Sequence, residues 1–525
     1  MHSKPTSRGP WACFHLLAVA ARLASATPSA AQAPAAVDAP LAGLDAYVSQ
    51  ARAAWDVPGM AVAVVKDDSV VFARGYGVRA LGTRDSVDAH TLFALGSTTK
   101  AFTALSVALM VDEGKLRWDD AVASDLPGFV LRDPYATHDL RLRDLLTHEL
   151  GFADPEYLWY GGDLTLAEMI RRLRYIAPES GLRSRFAYNN IGYAMAGQMA
   201  GSANRSSWED LVRTRILGPL GMTETVMTGP ELRGRPNVTR PHQYIDDTLR
   251  ALPAASQQLV DPIAPAGSMY ASVLDVSKWM RFLLDSARVA GKRLVSDTAF
   301  AELMKPQVLV RLDEIYPAAR LVKPNFTAYG LAWFLEDYRG EKVAFHTGSI
   351  DGLVAIVGLM PGRRLGVAVL ANLDHAELRH ALMYRVFDAY LGAPPRDWST
   401  EMRAFYQRIQ DSVKVAEKEV ERRRVKGTKP SLPLARYAGT YADSLYGWVT
   451  VRLEGSRLVL APSEFLTADL EHWNYDTFRA RYRNRWLGTS MVTFRLDTDG
   501  KPSALDLGEG KVLARAEGDS ARSTR

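Results

Sequence analysis

The sequence predicts an α/β sandwich, an antiparallel sheet flanked by helices, with an inserted helical lobe and a small antiparallel β-barrel at the C-terminal end. Three observations predict it. First, a helical pattern, an apolar hairpin and a second, strongly apolar helix follow one another near the N-terminus, the order expected of helices packed on a sheet. Second, apolar β-rich strands return between residues 329 and 371, separated by turn residues. Third, beyond residue 433 the pattern changes to short alternating strands.

In order along the chain, Leu41, Leu44, Tyr47, Val48, Ala51 and Trp55 have helical spacing, and Val57-Pro-Gly59 ends that helix. Met60 to Lys66 and Ser69 to Gly75 are β-branched runs joined by Asp67-Asp68, a hairpin signal. The apolar helix that starts around Leu95 is closed by Gly114. Trp118 to Thr228 reads as helices and loops, including a small-residue helix from Ala194 to Ala200. An amphipathic helix covers Val276 to Leu284, and strands are expected at Tyr329 to Phe334, Val343 to Phe345, Val354 to Leu359 and Gly366 to Ala371, with Phe345-His-Thr-Gly-Ser349 ending one of them. Leu378 to Leu391 forms a helix ended by Gly392. Met402 to Lys426 forms a long, charged, solvated one. In the C-terminal segment, strands are expected at Tyr446 to Leu453, Arg457 to Ala461, Thr477 to Trp486 and Met491 to Leu496. Arg479, Arg481, Arg483 and Arg485 would then share one strand face.

A chain of 525 residues exceeds one ordinary core. The expected organisation is an export signal over 1–32, a catalytic domain over 33–392, a charged helical linker over 393–430, a barrel over 431–515 and a disordered tail over 516–525. The export reading rests on Lys4 and Arg8 ahead of the apolar stretch Trp11 to Ala21, with small residues after it. That stretch is about 11 residues, against the roughly 20 that a membrane-spanning helix needs. The expected location is therefore periplasmic or secreted, with no integral membrane segment. A net charge of +5 over this length does not argue for nucleic acid. The single cysteine, Cys13, lies in the leader, so the mature chain would hold no disulfide and no thiolate metal site.

The chemistry concentrates at Leu95-Gly-Ser-Thr-Thr-Lys100. Ser97 is the only serine followed three positions later by a lysine, a spacing that puts hydroxyl and amine on one helix face. Serine needs a neighbouring base, and a lysine enclosed by apolar residues loses pKa by desolvation and can serve as one. An N-cap serine with a solvated lysine one turn on would give the same pattern. Tyr188 and Asn190 stand ahead of a helix, where a phenol near Lys100 could relay protons. The nearby cation lowers a tyrosine pKa and burial raises it, and the sequence leaves that balance open. Tyr482-x-Asn484 repeats the spacing among the C-terminal strands. His346-Thr347-Gly348 ends a strand whose edge could pair with a substrate backbone. A half-buried structural histidine is the plainer reading there. His148-Glu149 lacks the second histidine of a zinc-protease motif, because position 152 is Phe, and reads as a helix end.

Taken in order, Ser97-x-x-Lys100, Tyr188-x-Asn190 and His346-Thr-Gly348 resemble the serine β-lactamase and penicillin-binding protein superfamily, in particular class C β-lactamases, their esterase relatives and D-amino-acid peptidases. Leu145-Leu-Thr-His148, Pro219-Leu-Gly-Met222, Pro265-Ala-Gly267 and Tyr329-Gly-Leu-Ala-Trp333 are similar to the same branch. The resemblance covers roughly residues 41–392. The last segment resembles the lipocalin-like barrel attached to some of these hydrolases.

The resemblance implies a β-lactamase/transpeptidase-like fold and a serine hydrolase, an esterase or peptidase, that needs no cofactor and no metal. Ser97 would form an acyl-enzyme, with Lys100 and Tyr188 sharing its proton. Asn190 would bind the substrate amide and orient the lysine. His346, Thr347, Gly348 and Ser349 would bind substrate, the backbone N–H groups of Ser97 and Ser349 forming the oxyanion hole. Relatives often carry lysine where His346 stands. A neutral histidine there favours esterase or peptidase over β-lactamase activity, with an acidic-limb pKa expected near 6–7. The partner is a small-molecule or peptide substrate, and a homo-oligomer is compatible with this reading. β-Lactamase activity, or a binding protein that acylates without turning over, is the alternative.

Overall fold

The computed structural model describes residues 39–516. The expected export segment lies outside them, as does the expected tail except for Ala516, whose N–H bonds Thr440 O at 2.9 Å.

One eight-stranded antiparallel sheet organises the larger part. Its strands are Gly59–Lys66 (β1), Ser69–Gly77 (β2), Val308–Leu309 (β3), Thr327–Tyr329 (β4), Phe334–Tyr338 (β5), Glu341–Ile350 (β6), Leu353–Met360 (β7) and Leu365–Ala371 (β8), in the order β2-β1-β8-β7-β6-β5-β4-β3. Successive side chains of a strand point to opposite faces, and β1 uses both. Ala61, Ala63 and Val65 join the core that contains Phe102 and Trp279, while Met60, Val62 and Val64 join the core that contains Phe345 and Phe387. A sheet buried on both faces reads as a continuous apolar run, which is why these strands are conspicuous in the sequence.

Helices Leu44–Ala54 (α1) and Leu378–Leu391 (α6) cover one face. Lys100–Asp112 (α2) and Val273–Leu284 (α5) cover the other, with the lobe that includes Leu142–Thr147 (α3) and Asn190–Ala203 (α4) beyond them. A 25-residue helix, Trp398–Arg422 (α7), follows. Only Trp398, Ser399 and Met402 of it are buried, so its charged remainder faces water as expected. Its start is tied down by Trp398 Nε1, which donates to Asp388 Oδ2 at 2.8 Å. The C-terminal strands Gly439–Asp443 (β9), Gly447–Glu454 (β10), Arg457–Ala461 (β11), Ala468–Asn474 (β12), Thr477–Tyr482 (β13), Thr489–Leu496 (β14), Pro502–Asp506 (β15) and Val512–Arg515 (β16) close into an antiparallel barrel.

Three expectations need correction. Tyr329 to Phe334 is not a strand but the reversal between β4 and β5, closed by Gly330 N–H to Trp333 O at 2.8 Å. Leu331, Ala332 and Trp333 are apolar because the turn itself is buried. The small-residue helix starts at Asn190 rather than Ala194, because the Asn189 side chain accepts from Gly192 N–H at 2.9 Å and caps it. Strand β13 stops at Tyr482, so Arg485 leaves the expected stripe and pairs with Asp246 at 2.8 Å. Arg479 and Arg483 are matched by Glu471, Glu454 and Asp469.

Candidate active site

The Ser97 hydroxyl sits in a 3₁₀ turn, Gly96–Thr99, that runs directly into α2. Lys100, the first residue of α2, is fully buried among apolar side chains. Its Nζ lies 3.0 Å from Ser97 Oγ, 2.7 Å from Asn190 Oδ1 and 2.8 Å from Ala266 O. The last two are carbonyl oxygens, which can only accept. A neutral amine has two N–H bonds to give them, and its lone pair is left for the serine hydroxyl. Burial lowers the Lys100 pKa from 10.5 to about 7, with the Asp154 charge pulling the other way. The amine is therefore half unprotonated near neutral pH.

Asn190 is held in its orientation by Asp154. Asp154 Oδ2 accepts from Asn190 Nδ2 at 2.9 Å, which turns the amide oxygen toward Lys100. Asp154 Oδ1 takes the backbone N–H groups of Asn190 at 2.9 Å and Ile191 at 3.3 Å, an anion at the N-terminus of α4. Of the two roles expected for Asn190, orienting the lysine is the one these bonds express.

Tyr188 precedes the α4 cap. Its ring centre lies 4.9 Å from Lys100 Nζ and 4.3 Å from the His148 ring. Its phenol is within hydrogen-bonding reach of Ser97, yet burial dominates and holds its pKa well above 10. The balance left open by the sequence thus falls on the protonated side. Lys100 is the group able to accept a proton, and Tyr188 the group able to donate one.

His346, Thr347, Gly348 and Ser349 form the last part of β6, which ends one residue beyond them at Ile350. Pairing with β5 stops at Phe334–Phe345, whereas pairing with β7 continues to Ile350, so this half of β6 turns its other edge to the Ser97 turn. The approach is close. A Cβ on Gly348 would stand 1.8 Å from Leu95 O and 2.9 Å from Ser97 N, and one on Gly96 (φ +50) would stand 2.6 Å from Ser349 N. Glycine at both positions lets the Ser97 and Ser349 backbones face one another. Ser349 is exposed, and Thr347 meets the Tyr316 phenol. Beneath the strand, buried Arg379 donates to Gly348 O at 2.6 Å, Ser349 Oγ at 3.0 Å and Ala355 O at 3.2 Å.

His346 behaves differently from expectation. It is 1% exposed, and burial holds its pKa down to about 3, below the 6–7 expected of it. It closes a directional chain of neutral groups. Asn189 N–H donates to His148 Nδ1 at 2.9 Å, which leaves the His148 proton on Nε2, 3.3 Å from Tyr329 Oη. Tyr329 Oη then gives its proton to His346 Nε2 at 2.9 Å, and His346 Nδ1–H donates to Thr347 O at 2.6 Å. Each tautomer is fixed by its neighbour. His148 does end α3, in a left-handed conformation (φ 63), and its buried ring forms the seat on which Tyr188 rests.

Asp154, Tyr316 and Arg379 carried no sequence signal, since each reaches the site from a loop or helix start without motif spacing. His148 and Tyr329 lay inside quoted segments, but nothing there linked them to one another.

A family model described as "Beta-lactamase" matches residues 44–391, and one described as a domain of unknown function matches residues 423–517. The chain is 27% identical over 503 residues to an "Unguisins hydrolase ungD'" of Aspergillus campestris, covering 90% of this chain and 91% of that one. It is 30% identical over 322 residues to "Penicillin-binding protein 4" of Amycolatopsis lactamdurans, covering 61% and 82%. The structure of an octameric penicillin-binding protein homologue from Pyrococcus abyssi superposes with a TM-score of 0.59 at 22% identity, over 90% of this chain and 100% of that one.

Proposed function

The chain belongs to the beta-lactamase family and is a serine hydrolase of that superfamily; from this premise we propose that it cleaves an ester or peptide amide through an acyl-enzyme on Ser97. The observation that carries the proposal is the Lys100 amine, 3.0 Å from Ser97 Oγ, with its other hydrogen-bonding directions taken by two carbonyl oxygens. In the proposed sequence, Lys100 accepts the Ser97 proton as Oγ attacks the substrate carbonyl. The N–H groups of Ser97 and Ser349 hold the oxyanion, and the leaving amine or alcohol departs with a proton from Lys100 or Tyr188. Where Tyr188 is the donor, the Lys100 proton passes to it, so Lys100 is again neutral. Lys100 then takes a proton from water as the water oxygen attacks the acyl carbonyl, and Ser97 Oγ leaves with that proton as the carboxylic acid is released.

The preferred substrates in this reading are esters and peptides, D-amino-acid peptides among them. Its support is the character of His346. A neutral, buried imidazole offers no full charge to grip a β-lactam carboxylate, which a lysine would. Export to the periplasm or medium, and assembly of several copies, are part of the same proposal. Among the described residues no helix is long and apolar enough to cross a membrane.

The test is a panel of nitrocefin, short p-nitrophenyl esters and D-amino-acid peptides, run beside Ser97→Ala. Turnover of esters or peptides that vanishes in the variant supports the proposal. Turnover that survives in the variant refutes it. Nitrocefin as the best substrate would favour the β-lactamase alternative, and an acyl adduct that persists by intact-mass spectrometry would favour the binding protein.

A further inference from the structure

A cavity of about 280 Å³ lies where the barrel meets the loop that follows Asp154, and it shares no lining residue with the Ser97 site. Its walls are Val449, Leu460 and Val492 of the barrel interior and the rings of Tyr157, Tyr160 and Tyr482. The barrel core is filled unevenly. Elsewhere Tyr437, Phe478 and Phe494 pack ring against ring, with centroids 4.8 to 5.7 Å apart, and fill the lumen. At the cavity Val449, Leu460 and Val492 take the place of such rings, and the lumen stays open.

Several of the polar groups around it pair with one another. Lys511 pairs with Glu509 at 2.5 Å and stands 3.9 Å from the Tyr157 ring centre, while Tyr482 Oη and Ser490 Oγ lie 3.3 Å apart. Glu156 also lines the cavity, and burial raises the pKa of its carboxyl. No unpaired cation asks for an anionic ligand, and an apolar enclosure with a few hydroxyls suits a neutral one.

We propose that this cavity is a binding site for a neutral, largely apolar group of small-molecule size. Its occupant would touch the loop that follows the Ser97 site's Asp154. That loop begins at Asp154, which holds Asn190. Tyr160 donates to Asp351 Oδ2 at 2.6 Å, an oxygen that also accepts from Trp486 Nε1 of the barrel at 2.9 Å. Asp351 stands two residues beyond Ser349. The same chemistry could arrive as the tail of a substrate or as a separate molecule, and the experiment distinguishes them.

The probe is N-phenyl-1-naphthylamine, a neutral apolar fluorophore, titrated into the full chain, wild type and variants. Ser490→Trp plugs the cavity from a half-buried position, and Tyr157→Ala removes a half-exposed wall, so the pair guards against a variant that fails to fold. The site predicts saturable binding to the wild type, weakened about tenfold or more by Ser490→Trp and measurably by Tyr157→Ala. No saturable binding to the wild type, or equal binding to all three chains, overturns it. A parallel arm compares p-nitrophenyl acetate with p-nitrophenyl octanoate. A KM increase for octanoate alone in Ser490→Trp identifies a substrate tail, whereas unchanged kinetics with lost probe binding identify a separate ligand. The fluorescence arm does not depend on Ser97, so it stands or falls apart from the proposed activity.

Discussion

The chain carries the spacing Tyr-x-Asn twice, and the two copies have different surroundings. At Tyr188 and Asn190 the amide oxygen receives a buried lysine at 2.7 Å, and the phenol is enclosed between that lysine and the His148 ring. At Tyr482 and Asn484 the phenol pairs with Ser490 Oγ at 3.3 Å, and the amide donates to Phe465 O at 2.7 Å. The first pair faces a nucleophile and a base, the second fastens one loop of a barrel. The difference teaches that the motif acquires chemistry from what packs against it. A buried cation without a carboxylate partner at contact distance is strained toward neutrality, and that is what makes Lys100 useful.

The comparison is tested most severely at the first site. Ser97→Ala should lower kcat/KM by about 10⁴-fold or more, because nucleophile and base act as a unit. Lys100→Met should cost about 10³-fold and Tyr188→Phe about 10²-fold, within the range of positioned acid–base groups. Steady-state kinetics on whichever panel substrate turns over will read all three. A Tyr188→Phe enzyme of wild-type activity would remove the distinction between the two copies. Gly348→Ala drives a methyl into Leu95 O, and should cost about 1–3 kcal/mol by denaturant titration, the range for overpacking. It should also separate the two oxyanion N–H groups, so activity should fall further than stability alone explains.

A subtler probe is pH. Lys100 must be unprotonated to accept the serine proton, so kcat/KM should rise with pH through about 7 and fall away below it. Asp154 raises the Lys100 pKa, and Asp154→Asn should therefore move this limb toward lower pH while loosening Asn190. A limb that stays in place would mean that another group titrates. The smallest expected effect belongs to the second copy. Tyr482→Phe keeps the ring that walls the barrel cavity and removes only the 3.3 Å contact with Ser490 Oγ, so it should leave kcat/KM within about twofold of wild type.

Much of this was legible in sequence for an identifiable reason. Strands buried on both faces, β1 and β6 to β8, advertise themselves as unbroken apolar runs, and Ser97-x-x-Lys100 is local to one turn. Helix α6 matched residue for residue because Gly392 marks its end in a left-handed conformation. The remainder depends on contacts between distant segments. Nothing in Leu145-Leu-Thr-His148 says that its histidine will meet Tyr329, 181 positions away, or that Asp154 will reach Asn190. Burial also misleads locally. Tyr329 to Phe334 has the composition of a strand because its turn is enclosed, and His346 looks like a titrating group until its 1% exposure is known. Four of the eight barrel strands, β9, β12, β15 and β16, leave no strand pattern in the sequence, being short and interrupted by polar residues.

The central claim is that a serine hydroxyl is activated by a neutral lysine beside it. The most direct measurement is the second-order rate of labelling by a fluorophosphonate between pH 5 and pH 9, with the modified peptide identified by mass spectrometry. The account predicts one adduct, on Ser97, forming at a rate that climbs through pH of about 7 and then levels, as Lys100 loses its proton. A rate independent of pH across that interval, or an adduct on any other residue, would contradict it.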